Sequence, residues 1–237
     1  KDLDGTFETR KVFIEGLNLV SGLEVGFGGV WVGAAPELIF IPKDANDKAG
    51  KPQVLLDGWG FQDTHETLNS FSWGPDGWLY GAQGSTVTAN ILVHGPDGKP
   101  APGKPIYSQG QNIWRYHPEK RIYEVFSEGG GNAFGCEIDS QGRIFSGHNG
   151  GDTRGFHYLQ GAYLQKGFEK HGPLSNPYAY GYFPSMPQTS VPRFTHNFVI
   201  YDHGALPAHY NGHLFGVEPI QGRLVESQIT PDQSTFR

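Results

Sequence analysis

The sequence predicts an all-β protein, a β-propeller of four-stranded blades, and three observations carry that expectation. Helix signals are scarce: no stretch of about 15 residues repeats apolar side chains at helical spacing without a Gly or Pro inside it. Short β-branched or aromatic runs, bounded by Gly, Pro, Asn and Asp, recur along the whole chain. One longer unit repeats: a strand, a glycine-rich crossing, a second strand, an Asp-Gly or Gln-Gly turn, and a strand ending in glycine.

In chain order, Gly29-Val-Trp-Val-Gly33, Leu38-Ile-Phe-Ile41, Trp78-Leu-Tyr80, Ile113-Trp-Arg-Tyr116, Ile122-Tyr-Glu-Val-Phe126, Arg143-Ile-Phe145 and His213-Leu-Phe215 read as strands. Ile113 to Tyr116 turns at His117-Pro-Glu-Lys120 and returns as Arg121 to Phe126, a β-hairpin by pattern and turn chemistry. The repeats pair Val54-Leu-Leu-Asp-Gly-Trp-Gly60 with Phe71 to Gly81, and Val125 to Asn132 with Glu137 to Gly147. Val12 to Leu19 followed by Val30 to Gly33 is another copy, and His213 to Gly222 a looser one. Equivalent strands start near Val30, Leu79, Ile144 and Leu214, a spacing that suits propeller blades with insertions. A single small twisted sheet cannot bury both faces, so such sheets stack around an axis, with glycines where backbones crowd. Insertions are expected as loops at Ser85 to Gln111 and His171 to Arg193. About four blades are visible. Phe236-Arg237 opens a further element, so residues 1–237 read as one domain, a small propeller or part of a six-bladed type. A β-sandwich is the competing architecture.

Composition removes several function classes. The 237 residues include 35 Gly and 17 Pro, and the 14% aromatic content argues against disorder. Only 18% are charged and the net charge is -6, which is unsuited to tracking phosphates, so no nucleic-acid partner is expected. No apolar run spans a bilayer; the best, Gly29 to Pro42, is broken by Pro36 and Glu37. Lys1-Asp-Leu-Asp-Gly5 is not a signal peptide. The single cysteine, Cys136, excludes an internal disulfide framework and a cysteine-based zinc cluster.

Three stretches carry a family resemblance: Gly22 to Pro36, Gln62 to Tyr80, and Asn112-Ile-Trp-Arg-Tyr-His-Pro118. Together they resemble the membrane-bound or secreted dehydrogenase propeller domains of planctomycete and verrucomicrobial bacteria, which are often fused to a c-type haem domain. More distantly the chain is similar to the soluble glucose/sorbosone dehydrogenases, six-bladed propellers that bind pyrroloquinoline quinone (PQQ) and calcium. The resemblance implies an oxidoreductase acting on a sugar or polyol hydroxyl, a periplasmic or extracellular location, and a c-type haem domain or protein as electron partner.

It also implies residue roles. His65, shortly before Gly74-Pro-Asp-Gly77, would be the general base that takes a hydroxyl proton while hydride moves to the quinone. Asn132 would face the quinone, and Asp63 and Gln62 would lie in the cofactor-binding loop. Gly131 stands where the family has an arginine for a cofactor carboxylate, and Gln83-Gly84-Ser85 where it has an acidic residue. The turn at Gly150-Gly151-Asp152 would hold calcium through carbonyl and carboxylate oxygens. Read from the residues alone, Trp59, between Gly58 and Gly60, is a candidate platform for a sugar ring. His148, Asp152 and His157, or His209 and His213 near Asp202, are weaker metal candidates. Two other readings stay open: a non-catalytic carbohydrate-binding or assembly propeller, possible as a homo-oligomer, and a hydrolase or lyase.

Overall fold

The computed structural model describes residues 9–132, 134–148, 153–166, 182–187 and 197–237. Among them the fold is all-β, with one short 3-10 turn at Ala208–Tyr210.

The strands follow in chain order. The first sheet opens as an antiparallel meander of β1 (Val20–Gly26), β2 (Gly29–Ala34), β3 (Glu37–Pro42) and β4 (Gln53–Trp59). The chain then crosses to β5 (Asn69–Trp73) and β6 (Leu79–Gln83), which start the second sheet. A hairpin of β7 (Thr88–Val93) and β8 (Ile106–Gln109) returns to the first sheet beside β4. The second sheet resumes with β9 (Asn112–His117) and β10 (Ile122–Gly130), the predicted hairpin. The third sheet is β11 (Glu137–Ile138), β12 (Ile144–Gly147) and β13 (Gly155–Tyr158). β14 (Tyr163–Lys166) goes back to pair parallel with β10. The fourth sheet is β15 (Phe198–Ile200), β16 (His213–Glu218) and β17 (Arg223–Gln228), followed by the small hairpin of β18 (Pro231–Asp232) and β19 (Thr235–Phe236).

Two expectations change. Ser85 to Gln111 is not a bare loop, because it contains β7 and β8. Uniform four-stranded blades are replaced by sheets of six, five, three and three strands plus the hairpin. The reason is edge protection: β7 and β8 cover the open side of β4, and β14 that of β10. The meanders β1-β2-β3-β4 and β5-β6-β9-β10 still hold four strands each. The described residues do not close a ring.

The sheets stack face to face in chain order, and the period of two along each strand explains how. In β6, Leu79 faces the first sheet, in a cluster with Trp31, Leu56 and Trp114, while the next residue, Tyr80, faces the third, with Ile144 and Tyr158. In β12, Ile144 faces the second sheet and Phe145 the fourth, with Phe198, Leu214 and Phe236. A middle sheet must therefore be apolar on both faces, and each fully buried large side chain contributes about 1.5–3 kcal/mol. The opening strands of neighbouring sheets also touch, β1 with β5 and β11 with β15. Ser21 donates to the Leu68 carbonyl at 2.7 Å across the first of these seams. Gly22 is required there, because a Cβ would come within 2.8 Å of the Phe71 ring.

At the outer side, His94 fastens the inserted hairpin. Its Nε2 lies 2.5 Å from Asp57 of β4 and its Nδ1 3.0 Å from the Gly98 carbonyl. Asp44 accepts the backbone N–H groups of Asn46 and Lys48 at 2.8 and 2.9 Å, so this Asp-rich segment is an ordinary turn.

Candidate functional site

Antiparallel register sorts the connections into two ends. Gln83, Asn112 and Glu128 are register partners on β6, β9 and β10, so the crossing 60–68, residues 131–132 after β10 and the loop 84–87 share one end. The tight turns Gly74–Trp78 and His117–Arg121 share the other. The first group, here the loop end, carries most of the residues singled out above.

The crossing from β4 to β5 is held at Glu66 and free at His65. The Glu66 carboxylate is 7% exposed and accepts the Thr86 N–H at 2.7 Å, the Thr86 hydroxyl at 2.6 Å and the Ser85 hydroxyl at 3.1 Å. The Gly84 N–H donates to the Glu66 carbonyl at 2.8 Å, and a Cβ at Gly84 would collide with Glu66. These contacts tie the crossing to the loop after β6. One residue earlier, the His65 side chain is 90% exposed. Asp63 Oδ1 lies 3.0 Å from the His65 backbone N and 3.1 Å from its Nδ1. One carboxylate oxygen thus turns the backbone and orients the ring. With Asp63 ionised, Nδ1 donates and the lone pair sits on Nε2, facing solvent. An imidazole so placed can accept a proton from a hydroxyl that docks at this end. Gln62 is exposed, with its amide oxygen folded against Gly60.

Trp59 is elsewhere. It is 1% exposed, its Nε1 donates to Gln83 Oε1 at 3.2 Å, and it packs against Trp114 at 5.4 Å and Tyr123 at 5.9 Å. The expectation of a sugar platform is corrected: packing between two sheets leaves no ring face for a ligand.

Asn132 stands at the start of the next crossing, partly buried, and its Oδ1 is buried without a protein partner. Beside it, the His148 imidazole lies over Gly131, where any Cβ would collide with the ring. His148 also meets Phe156 edge-on at 5.5 Å. Gly131 is therefore a packing requirement: an arginine there would have to displace His148. Gly150, Gly151 and Asp152 lie outside the described residues. Among the described residues, no three His, Cys, Asp or Glu side chains gather in a way that could hold a metal. His157 stacks on Phe145 at 5.0 Å, and His213 pairs with Glu226 at 2.5 Å.

Sequence reading missed several residues at this end. Asn112 is 1% exposed and neither side-chain atom has a protein partner. Glu128 is 8% exposed and accepts the Tyr163 hydroxyl at 3.1 Å. Arg154 is 6% exposed, donates to Ser227 at 3.0 Å, and burial lowers its pKa. The available signal was a polar residue opening or closing an apolar strand pattern, as in Asn112 before Ile113-Trp114.

A search of curated proteins finds no match. Among solved structures, the PQQ-bound form of an aldose sugar dehydrogenase from Streptomyces coelicolor matches with 16% identity and a TM-score of 0.42, over 93% of this chain and 80% of that one. A family model described as a domain of unknown function, DUF7133, matches residues 1–237. The chain belongs to the DUF7133 family.

Proposed function

We propose that the loop end is an oxidoreductase-type site for a sugar or alcohol hydroxyl, with His65 as proton acceptor and Asp63 as the residue that orients it. The observation that carries this reading is the Asp63–His65 pair, 3.1 Å apart, on a crossing whose neighbour Glu66 is buried and whose imidazole is open to solvent. General-base catalysis of this kind is worth about 10²–10⁴-fold.

Oxidation also needs a hydride acceptor, and side chains do not supply one. The resemblance implies PQQ with calcium. PQQ is a tricarboxylate and needs cations in place of water. Among the described side chains at the loop end the guanidinium is Arg154, which is buried and engaged with Ser227. His148 fills the space over Gly131. PQQ, when bound, would take the hydride that leaves as His65 takes the proton; Gln62, Asp63 and Asn132, whose Oδ1 is buried without a protein partner, are the described residues that would hold it, and Gly150, Gly151 and Asp152 lie outside the described residues. Asn132 Oδ1 remains available to a ligand hydroxyl or amide. A periplasmic or extracellular site with a separate haem partner belongs to the same proposal.

The Gly131–His148 packing favours a second reading, a carbohydrate-binding propeller without turnover. One experiment separates the two. Dye reduction is assayed with aldoses and polyols, with and without PQQ and calcium, alongside calorimetric titration of the same sugars. The proposal expects turnover that falls at least about 100-fold in His65→Ala and less in Asp63→Asn. Sugar binding without turnover under every condition establishes the second reading. Neither binding nor turnover defeats both.

A further inference from the structure

The crossing from β4 to β5 is anchored twice, and both anchors sit on one short segment. At its start, the Gly60 N–H donates to the Thr88 carbonyl at 2.9 Å. A Cβ at Gly60 would come within 2.6 Å of that carbonyl, so glycine is what lets the two backbones approach. At its end, the Glu66 carboxylate accepts from Ser85 and Thr86, and the Glu66 carbonyl accepts the Gly84 N–H. The receiving segment, 84–88, is itself fixed. It joins β6 of the second sheet to β7 of the first, Ser85 and Val87 are buried, and the Val87 carbonyl accepts the Gly110 N–H at 2.7 Å.

Phe61 to His65 span the gap between the anchors. Asp63 to Glu66 form a turn, closed by the Glu66 N–H on the Asp63 carbonyl at 3.3 Å. Glu66 is thus the closing residue of the turn that displays His65, and the contacts of Asp63 Oδ1 with the His65 backbone and ring lie inside that same turn. Directly after it, Thr67 and Leu68 are buried, and Ser21 Oγ lies 2.7 Å from the Thr67 hydroxyl and from the Leu68 carbonyl. Three donors converging on one carboxylate fix the orientation of the residue that bears it as well as its place. The pose of the imidazole therefore depends on where Glu66 is held.

We infer that Glu66 is a positioning residue: anchored on Ser85 and Thr86, it sets the turn that keeps the His65 ring against Asp63. This rests on the reading of His65 as proton acceptor and adds to it the group that holds the acceptor in place. Glu66 touches no reacting atom and acts through the turn. A misplacement of about 1 Å in a reacting group costs on the order of 100-fold in rate, so a carboxylate that fixes the turn acts on turnover as well as on stability.

The test compares Glu66→Gln, Thr86→Val and Thr86→Ser with the wild type. Nitrogen-15 resonance of the His65 ring, assigned by its loss in His65→Ala, reads the pose without any substrate. The wild type is expected to show one dominant form protonated at Nδ1 at a pH above the imidazole range. Glu66→Gln and Thr86→Val are expected to shift His65 to the tautomer mixture of an unheld imidazole. Thr86→Ser keeps the hydroxyl donor and is expected to retain the wild-type pattern. In dye reduction, kcat per folded molecule is expected to fall at least about tenfold in Glu66→Gln with KM within about twofold. Circular dichroism gives the folded fraction, and if Glu66→Gln does not fold, the two Thr86 variants decide. His65 signals unchanged in folded Glu66→Gln and Thr86→Val, or a wild-type His65 that already shows the mixture, would overturn the inference. A wild type without turnover defeats the proton-acceptor reading instead, and the His65 signals still decide whether Glu66 holds the ring.

Discussion

The two ends of the second sheet are built differently. At the turn end the polar groups around Arg115 have partners, whereas the buried hydroxyls of Tyr116 and Tyr123 have none. Gly74 N–H donates to the Trp78 carbonyl at 2.9 Å, and Asp76 accepts the Tyr80 hydroxyl at 2.8 Å. Arg115 donates to Glu124 at 2.8 and 2.7 Å and to the Tyr80 hydroxyl at 3.2 Å, with its guanidinium 4.2 Å above Trp78. Burial, first of all, pushes the Tyr80 hydroxyl up to about 12. At the loop end of the same strands, Asn112 is buried with no protein partner for its amide, and a histidine points into solvent. A buried amide left unsatisfied costs about 1–3 kcal/mol. The sheet therefore gathers paired charges around Arg115 at one end and leaves a buried amide and an exposed histidine at the other.

Substitutions sharpen that contrast. The largest loss of stability is expected between the ends, at Trp114→Ala. Trp114 is 0% exposed and meets Trp59 and Phe71 at 5.4 Å each. Urea denaturation should read about 3–5 kcal/mol. At the turn end, Arg115→Ala should lose about 2–3 kcal/mol, because Glu124 and Tyr80 lose a charged donor together. At the loop end, Glu66→Gln should lose about 1–2 kcal/mol, since three donors lose a charged acceptor. Asn112→Ala should be smallest, within about 1 kcal/mol of wild type, because it removes polar atoms that no protein group satisfies. A loss at Asn112 as large as that at Arg115 would break the contrast.

Acid should act on the third and fourth sheets. His157 lies below its ordinary 6.5, chiefly through burial and secondarily through Arg143, with Asp139 opposing, and it is packed between Phe145 and Phe236. A histidine with a depressed folded-state pKa contributes stability that is complete above the unfolded value and is lost as pH falls toward the folded one. Melting temperature should therefore drop as pH is lowered below about 6.5, and His157→Phe should reduce that slope. An equal slope in the variant would remove His157 from the account.

The strands were legible because a period of two is a local property. Leu79-Tyr80 and Ile144-Phe145 announce apolar contacts on both faces within a few residues. The hairpin of β7 and β8 was hidden by Gly95-Pro-Asp-Gly98 and Lys99-Pro-Ala-Pro-Gly103, whose turn chemistry outweighed the strands beside it. As a candidate, His65 was legible by residue type and by its distance from the following turn. Glu66 was not, because its partners Ser85 and Thr86 come from another loop. Trp59 misled for the same reason: Gly58 and Gly60 suggest an open loop, whereas its burial is decided by Trp114 and Tyr123 on the neighbouring sheet.

The most direct test sets one variant at each end in a single assay. His65→Ala and Asp76→Ala are compared for substrate-dependent dye reduction, normalised to the folded fraction of each protein. The account predicts that His65→Ala folds normally and loses at least about 100-fold in rate, while Asp76→Ala is less stable and keeps its rate per folded molecule. A His65→Ala protein that turns over at the wild-type rate, or an Asp76→Ala protein that loses as much, would contradict it.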